Sequence, residues 1–373
     1  MTKQIALGTA VAQPGTIQYG QWDAITHPTG HEDYLPVIIA QGKEDGPCIW
    51  LTAGIHGPEH TGPTVLYRLI NQQLVDQLRG TIIALPALSP AGLRTKEYVP
   101  YHLPKNPNRM WPDGKPAKPQ DPDEEAPSSV EIAFARLFEH IKETADFMID
   151  YHNAWIDSIS FVFRDRVLYR TDQEAEKNKA AAEALAVKQD EMMAAYGHTV
   201  ITEFPSKYYI KQDLHRSTTG AALLVGGIPS FTVELGTGLM PDPVMVAASV
   251  AGTRNVLRWA GMLAGPMEPI TGIAVVDPGF RTRRSEGARI KEACIALHCV
   301  QSGDRVQKGD PLAELFDVWG RPLPTNPLRS EHDGFVIGRE HGIYFYPGDT
   351  VVHLSIRDED PVVAPYPDDF YKV

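Results

Sequence analysis

Cysteine is scarce in this 373-residue chain: Cys48, Cys294 and Cys299 are its only thiols. They cannot build a disulfide framework, and no two of them form a C-x-x-C pair, which argues against a thiolate metal site. Long apolar runs are missing too. No stretch approaches the roughly 18–20 residues that a membrane-spanning helix requires. The amino-terminal MTKQIALGTAVAQPG lacks the basic start and apolar core of a secretion signal. These absences predict a soluble, cytoplasmic protein with no membrane partner. Positive charge is also in short supply, with 35 Lys and Arg against 47 Asp and Glu and a formal net charge of −12. No basic stripe offsets that sum, which argues against nucleic acid or an anionic surface as a partner.

Apolar residues make up 43% of the chain and charged residues 22%, so a packed globular protein is expected rather than a disordered one. The length exceeds what one core usually holds, which predicts two domains. Buried strands are expected at YLPVIIA (34–40), CIWLTAG (48–54), TIIALPAL (81–88), ADFMIDYHN (145–153) and IPSFTVELG (228–236). Between them lie helical patterns. Val65, Leu66, Leu69 and Ile70 recur at helical spacing, Ser128 and Glu131 have capping-box spacing, and residues 174–197 and 244–263 read as long helices. A long irregular stretch from Ser89 to Pro127, proline-rich over 112–127, has the length of a functional lid or rim. Alternating strands and helices indicate an α/β domain with a largely parallel sheet over residues 1–265. From Ile270 to Val373 short alternating runs and Gly-Asp turns predict a small all-β domain.

Four ionisable groups share one structural address. His56 and Glu59 follow the strand 48–54, His152 ends the strand 145–153, and Glu234 ends FTVE. In open α/β sheets, ligand sites form outside the carboxyl ends of the strands, so these groups are expected to converge. Two His and one Glu are a common catalytic zinc set, with the fourth position left to water. A carboxylate beside that water, here Glu234, can act as general base and later protonate the leaving nitrogen. Asp150 shares a strand face with His152 and is a candidate hydrogen-bond partner for it. Each residue has a plainer reading as well. An H-x-x-E is common by chance, a lone His152 is more often structural, and Glu234 could cap a helix or pair with a cation. His56 and His60 stand four apart, but Gly57 occupies the place where a zincin helix needs Glu.

Taken together, GIHGPEHTG (54–62), NRMWP (108–112), DYHN (150–153) and VELG (233–236) resemble the succinylglutamate desuccinylase/aspartoacylase family, relatives of the zinc carboxypeptidases. The resemblance implies a carboxypeptidase-like three-layer α/β domain, one zinc ion on His56, Glu59 and His152, and Glu234 as catalytic base. It further implies that Asn108 and Arg109 contact the substrate and that Arg94 polarises the scissile carbonyl. Arg216, Tyr344 and Tyr346 are further candidates by position. The C-terminal segments 294–315 and 332–354 look like the halves of a biotinyl/lipoyl-type barrel-sandwich, but no lysine lies between Lys308 and Lys372 to carry a cofactor. That region is expected to shield the cleft or to mediate assembly into a homo-oligomer. The activity expected is zinc-dependent hydrolysis of an N-acyl amino acid or related small amide. The alternatives are a metallocarboxypeptidase, an ester hydrolase and a catalytically silent zinc-bound sensor.

Overall fold

The computed structural model describes residues 5–115, 126–155, 157–368 and 370–371. The strands of its α/β part are β1 (Thr16–Thr26), β2 (Glu32–Gln41), β3 (Glu44–Ala53), β4 (Arg79–Leu85), β5 (Phe147–His152), β6 (Phe161–Arg164), β7 (Thr199–Thr202) and β8 (Ser230–Glu234). The principal helices are α1 (Thr61–Leu69), α2 (Ser129–Thr144), α3 (Ala175–Tyr196) and α4 (Pro243–Trp259).

Side-chain alternation explains the layering. On β3, Ile49, Leu51 and Ala53 meet Val65, Leu66 and Leu69 of α1, Met192 and Met193 of α3, and Val256 and Leu257 of α4. Trp50, on the opposite face, packs with Val130, Phe134, Leu137, Phe138 and Ile141 of α2. A strand between two helical layers buries both of its faces, which is why its sequence is continuously apolar. Helix termini are set locally. Ser128 and Glu131 form a reciprocal capping box on α2, and Gly197 ends α3 with φ +81°.

The expectation of a largely parallel sheet needs correction, because the sheet is mixed. Its order is β1-β2-β4-β3-β5-β8-β6-β7. Strands β4, β3, β5 and β8 are mutually parallel, whereas β1, β2 and β6 pair antiparallel to their neighbours on the β8 and β4 sides. Connection length is the reason: a parallel pair needs a crossover of a dozen or more residues, and the links before β2 and β6 are too short. The predicted irregular stretch after residue 88 contains a short helix (Pro90–Thr95) and a 3₁₀ turn (Pro107–Arg109). Much of its proline-rich portion lies outside the described residues.

The C-terminal region is all-β, as its pattern predicts. It supplies β9 (Thr282–Arg284), β10 (Gly334–Arg339) and β11 (Thr350–Arg357). A separate four-stranded sheet built around Cys294–His298 and Pro311–Phe316 encloses a core with Val336, Val351, Val352 and Leu354. The composition change near residue 265 does not interrupt hydrogen bonding. Strand β9 joins β7 in parallel at Thr202 and Arg283, and β11 and β10 extend the same fourteen-stranded sheet. Buried Asp358 ties the parts together, accepting from Arg166 Nη2 at 3.0 Å and from Arg281 Nε at 2.9 Å.

Candidate metal centre and its cavity

Strands β3, β5 and β8 are adjacent and parallel, so their carboxyl ends open on one side of the sheet. There the chain after β3 presents His56 and Glu59, while β5 ends at His152 and β8 at Glu234, in register with each other. The loop before α1 is held by close backbone approach. A Cβ at Gly57 would lie 2.1 Å from the Gly92 carbonyl oxygen, and one at Gly238 would lie 2.4 Å from that of Pro58. Asn153 clamps the loop ends together, donating to Thr61 Oγ1 at 2.9 Å and to the carbonyl oxygens of Gly236 and Thr237.

His56, Glu59 and His152 are all buried, and one ligand atom from each lies within 4.8 Å of the others. Both rings turn Nδ1 toward the Glu59 carboxylate, His56 at 2.7 Å from Oε1 and His152 at 2.9 Å from Oε2. Their Nε2 atoms are occupied elsewhere: that of His56 lies 2.9 Å from Asn106 Oδ1, and that of His152 lies 2.8 Å from Asp150 Oδ2. Thr52 donates to the other oxygen of Asp150 at 2.7 Å. Asn106 Oδ1 and a carboxylate oxygen of Asp150 are acceptors, so each Nε2 is placed to donate, and a ring protonated there alone turns its Nδ1 lone pair inward. Two lone pairs aimed at a carboxylate repel it unless a cation or extra protons intervene. The pKa directions carry the same message. Burial disfavours charge on Glu59 and His152, yet their attraction holds the Glu59 carboxyl at about 2 and raises His152 well above the usual imidazole value. Glu59 Oε2 has no well-aligned hydrogen bond despite its proximity to His152. A borderline divalent ion such as zinc suits this N,N,O set, and the residues fit it.

The three residues line a cavity of about 340 Å³, with Glu234 and Arg109 on its wall. Burial pushes the Glu234 carboxyl up to about 8, with Glu59 adding repulsion and His152 opposing it. Its Oε2 is buried and has no hydrogen-bond partner among the described residues. Tyr98 stacks flat on His56, ring centroids 3.9 Å apart, and roofs the ligand set. Trp155 lines the cavity and stacks at 3.7 Å on His353 of β11. Asp165, Glu203 and Arg284 also line the cavity wall.

Comparison with known proteins agrees with the ordered motifs. The family model described as "Succinylglutamate desuccinylase/Aspartoacylase catalytic domain" matches residues 45–260, more than half of the chain. The chain belongs to the succinylglutamate desuccinylase/aspartoacylase family. The N-alpha-acetyl-L-2,4-diaminobutyric acid deacetylase of Halomonas elongata is 24% identical over 334 residues, covering 86% of this chain and 85% of that protein. Two solved structures share the fold. The succinylglutamate desuccinylase/aspartoacylase from Rhodobacter sphaeroides has a TM-score of 0.67 at 19% identity, covering 92% of this chain and 96% of its own. The product-bound ectoine utilization protein EutE (DoeB) from Ruegeria pomeroyi has a TM-score of 0.66 at 20% identity, covering 91% and 95%. Family and relative together support a deacylating hydrolase activity.

In this desuccinylase/aspartoacylase chain the remaining candidates separate. Asn108 lines the cavity, where its Oδ1 accepts from Thr218 N at 2.8 Å and its Nδ2 lies 3.4 Å from His152 Nε2. Arg94 does not reach the cavity: its Nη2 pairs with Asp33 Oδ1 at 2.9 Å and its side chain is half exposed. Arg216 is likewise engaged elsewhere, with Glu131 at 2.9 Å, and Tyr344 and Tyr346 stand exposed, away from the cavity. His60 turns back to the Gly57 carbonyl at 3.0 Å and is no part of the ligand set. Sequence reasoning missed Tyr98, Asn106, Asp165, Glu203 and Arg284. The first two lie in KEYVPYHLPKNPN, a stretch notable only for its length, and the others belong to no motif.

Proposed function

We propose that this protein hydrolyses the amide bond of an N-acyl amino acid, with zinc held by His56, Glu59 and His152. The observation that carries the reading is the pair of Nδ1 atoms facing Glu59, each ring locked from behind, beside a buried carboxyl raised to about 8. The deacetylase activity named for the Halomonas elongata relative supports the same class of substrate. When bound, a zinc ion at this site acidifies a water and polarises a carbonyl oxygen.

The residues divide the remaining work. Glu234 takes a proton from the attacking water and returns it to the departing amine nitrogen. A carboxyl whose pKa is lifted into the neutral range suits both transfers, since it neither holds nor loses the proton too firmly. Arg109, on the cavity wall, supplies positive charge for the oxyanion, the role expected of Arg94 and assigned to Arg109 in this reading. Asn108 lines the cavity beside His152, and Tyr98 and Trp155 restrict access to a space suited to a small amide.

The test is a panel of N-acetyl, N-succinyl and N-aspartyl amino acids, together with longer peptides, assayed with and without a chelator. Chelator-sensitive cleavage of acyl amino acids is expected. Cleavage of peptides alone would favour the carboxypeptidase reading, and an inert zinc-loaded protein would leave a binding or sensing role.

A further inference from the structure

We propose that Arg284, delivered by the C-terminal β region, anchors the carboxylate of the substrate's amino-acid moiety, making that region part of the active site. This rests on the acyl-amino-acid reading above and names the residue that selects for a free carboxylate.

Arg284 lies beyond the matched catalytic segment 45–260, yet it lines the same cavity as His56, Glu59, His152 and Glu234. Its guanidinium is held in a fixed plane. Nη1 donates to Glu203 Oε1 at 3.1 Å, and the group sits 5.1 Å from the Phe163 ring centroid and 5.2 Å from that of Phe204. Nε and Nη2 have no protein partner among the described residues, and the side chain is 29% exposed where it lines the cavity. Those two nitrogens form the edge from which a guanidinium makes two parallel hydrogen bonds to a carboxylate. Arg109, the other arginine in the cavity wall, lacks that edge because its Nε donates to the Gln212 carbonyl at 2.9 Å and its Nη1 to that of Asn108 at 2.6 Å. It can approach a carboxylate only end-on, through Nη2 and the remaining Nη1 hydrogen, whereas Arg284 offers its whole Nε–Nη2 edge.

The backbone behind Arg284 is also fixed. Arg283 pairs with Thr202 across β9 and β7, which places Arg284 beside Glu203, and Arg281 is pinned to buried Asp358. A side chain brought by a distant segment needs such anchoring if it is to discriminate by geometry.

The experiment uses full-length, zinc-loaded protein and two ligands that need no turnover, L-2,4-diaminobutyrate and its C1 carboxamide, measured by calorimetry. Hydrolysis of their Nα-acetyl forms is followed in parallel. Wild type should prefer the carboxylate by on the order of 100-fold, as expected for a desolvated charge pair. R284Q should lose most of that preference, with KM rising more than kcat falls, and R284K should fall between. Zinc content should stay unchanged, and R284K, which keeps a positive charge beside buried Glu203, should hold the unfolding midpoint. No preference in wild type, an undiminished preference in R284Q, or equal weakening of both ligands would overturn the proposal. If neither acetylated compound nor any member of the acyl-amino-acid panel is cleaved while an Arg284-dependent preference persists, the deacylase reading fails and the anchor stands.

Discussion

His56 and His152 are useful to a cation because of what lies behind them. Asn106 and Asp150 fix the Nε2 side of each ring at 2.9 Å and 2.8 Å, so the Nδ1 side is presented without rotational freedom. Such outer partners orient a ligand and raise its basicity, and losing one typically costs about 10- to 100-fold in metal affinity. Glu234 belongs to a different class, because its buried Oε2 makes no hydrogen bond to the described residues and is left open to a partner from the cavity. Replacing it with Gln preserves shape and removes the base. E234Q is expected to bind zinc as wild type does in calorimetry, while kcat falls by about 10²–10⁴. Near-normal turnover with metal bound would reject the role.

At the scale of elements, the site depends on strand ends and on segments that lie against them. The parallel strands β3, β5 and β8 place the motif residues, and the Gly57 turn lets the segment carrying Tyr98 and Asn106 approach closely. The C-terminal strand β9 is attached to β7 by a single register pair, so side chains must add to its anchoring. Asp358 does so through Arg166, which is fully buried, and Arg281. Substituting Asp358 with Asn leaves the Arg166 charge buried and unpaired, and removing one partner of such a pair costs about 3–5 kcal/mol. D358N should therefore lower the free energy of urea unfolding by that order and weaken substrate binding more than zinc binding. Equal stability in both proteins would show that the Asp358 node does not hold β9 in place.

For the whole molecule, the buried acids couple metal, proton and stability. Asp165 is pushed to about 7 by burial and by repulsion from Glu203, against the hydrogen bonds it accepts from Tyr209 and Thr219. Glu234 is pushed to about 8 by burial and by Glu59. Both carboxyls have folded-state values above their unfolded ones, so the stability they contribute is complete below the ordinary carboxylate range. It is lost as pH rises through about 7 and 8. Glu59 acts in a separate window: its value of about 2 contributes stability above the ordinary carboxylate range that is lost only as pH falls toward 2. The Tm of metal-free protein should therefore decline between pH 5 and pH 9. Zinc, by neutralising the ligand cluster and binding the folded state alone, should raise Tm, most at the alkaline end. A metal-free Tm that climbs through this range would contradict the assignment of neutral buried acids. Among the described residues no helix is long and apolar enough to cross a membrane.

Much of this architecture was legible in order and spacing. Periodicity located the strands and helices, because alternation and helical repeats follow from which face a side chain can bury. The strand-end positions of His56, Glu59, His152 and Glu234 were enough to expect convergence, since parallel neighbours open on the same side. The mixed sheet direction, the withdrawal of Arg94 to Asp33 and the crossing of β9 into the main sheet were not legible. Each depends on contacts between segments far apart in the chain, which local patterns do not encode. Arg284, Glu203 and Asp165 illustrate the limit. Each looks like an ordinary charged residue until strand pairing places all three in one cavity, where burial and mutual charge determine what they can bind.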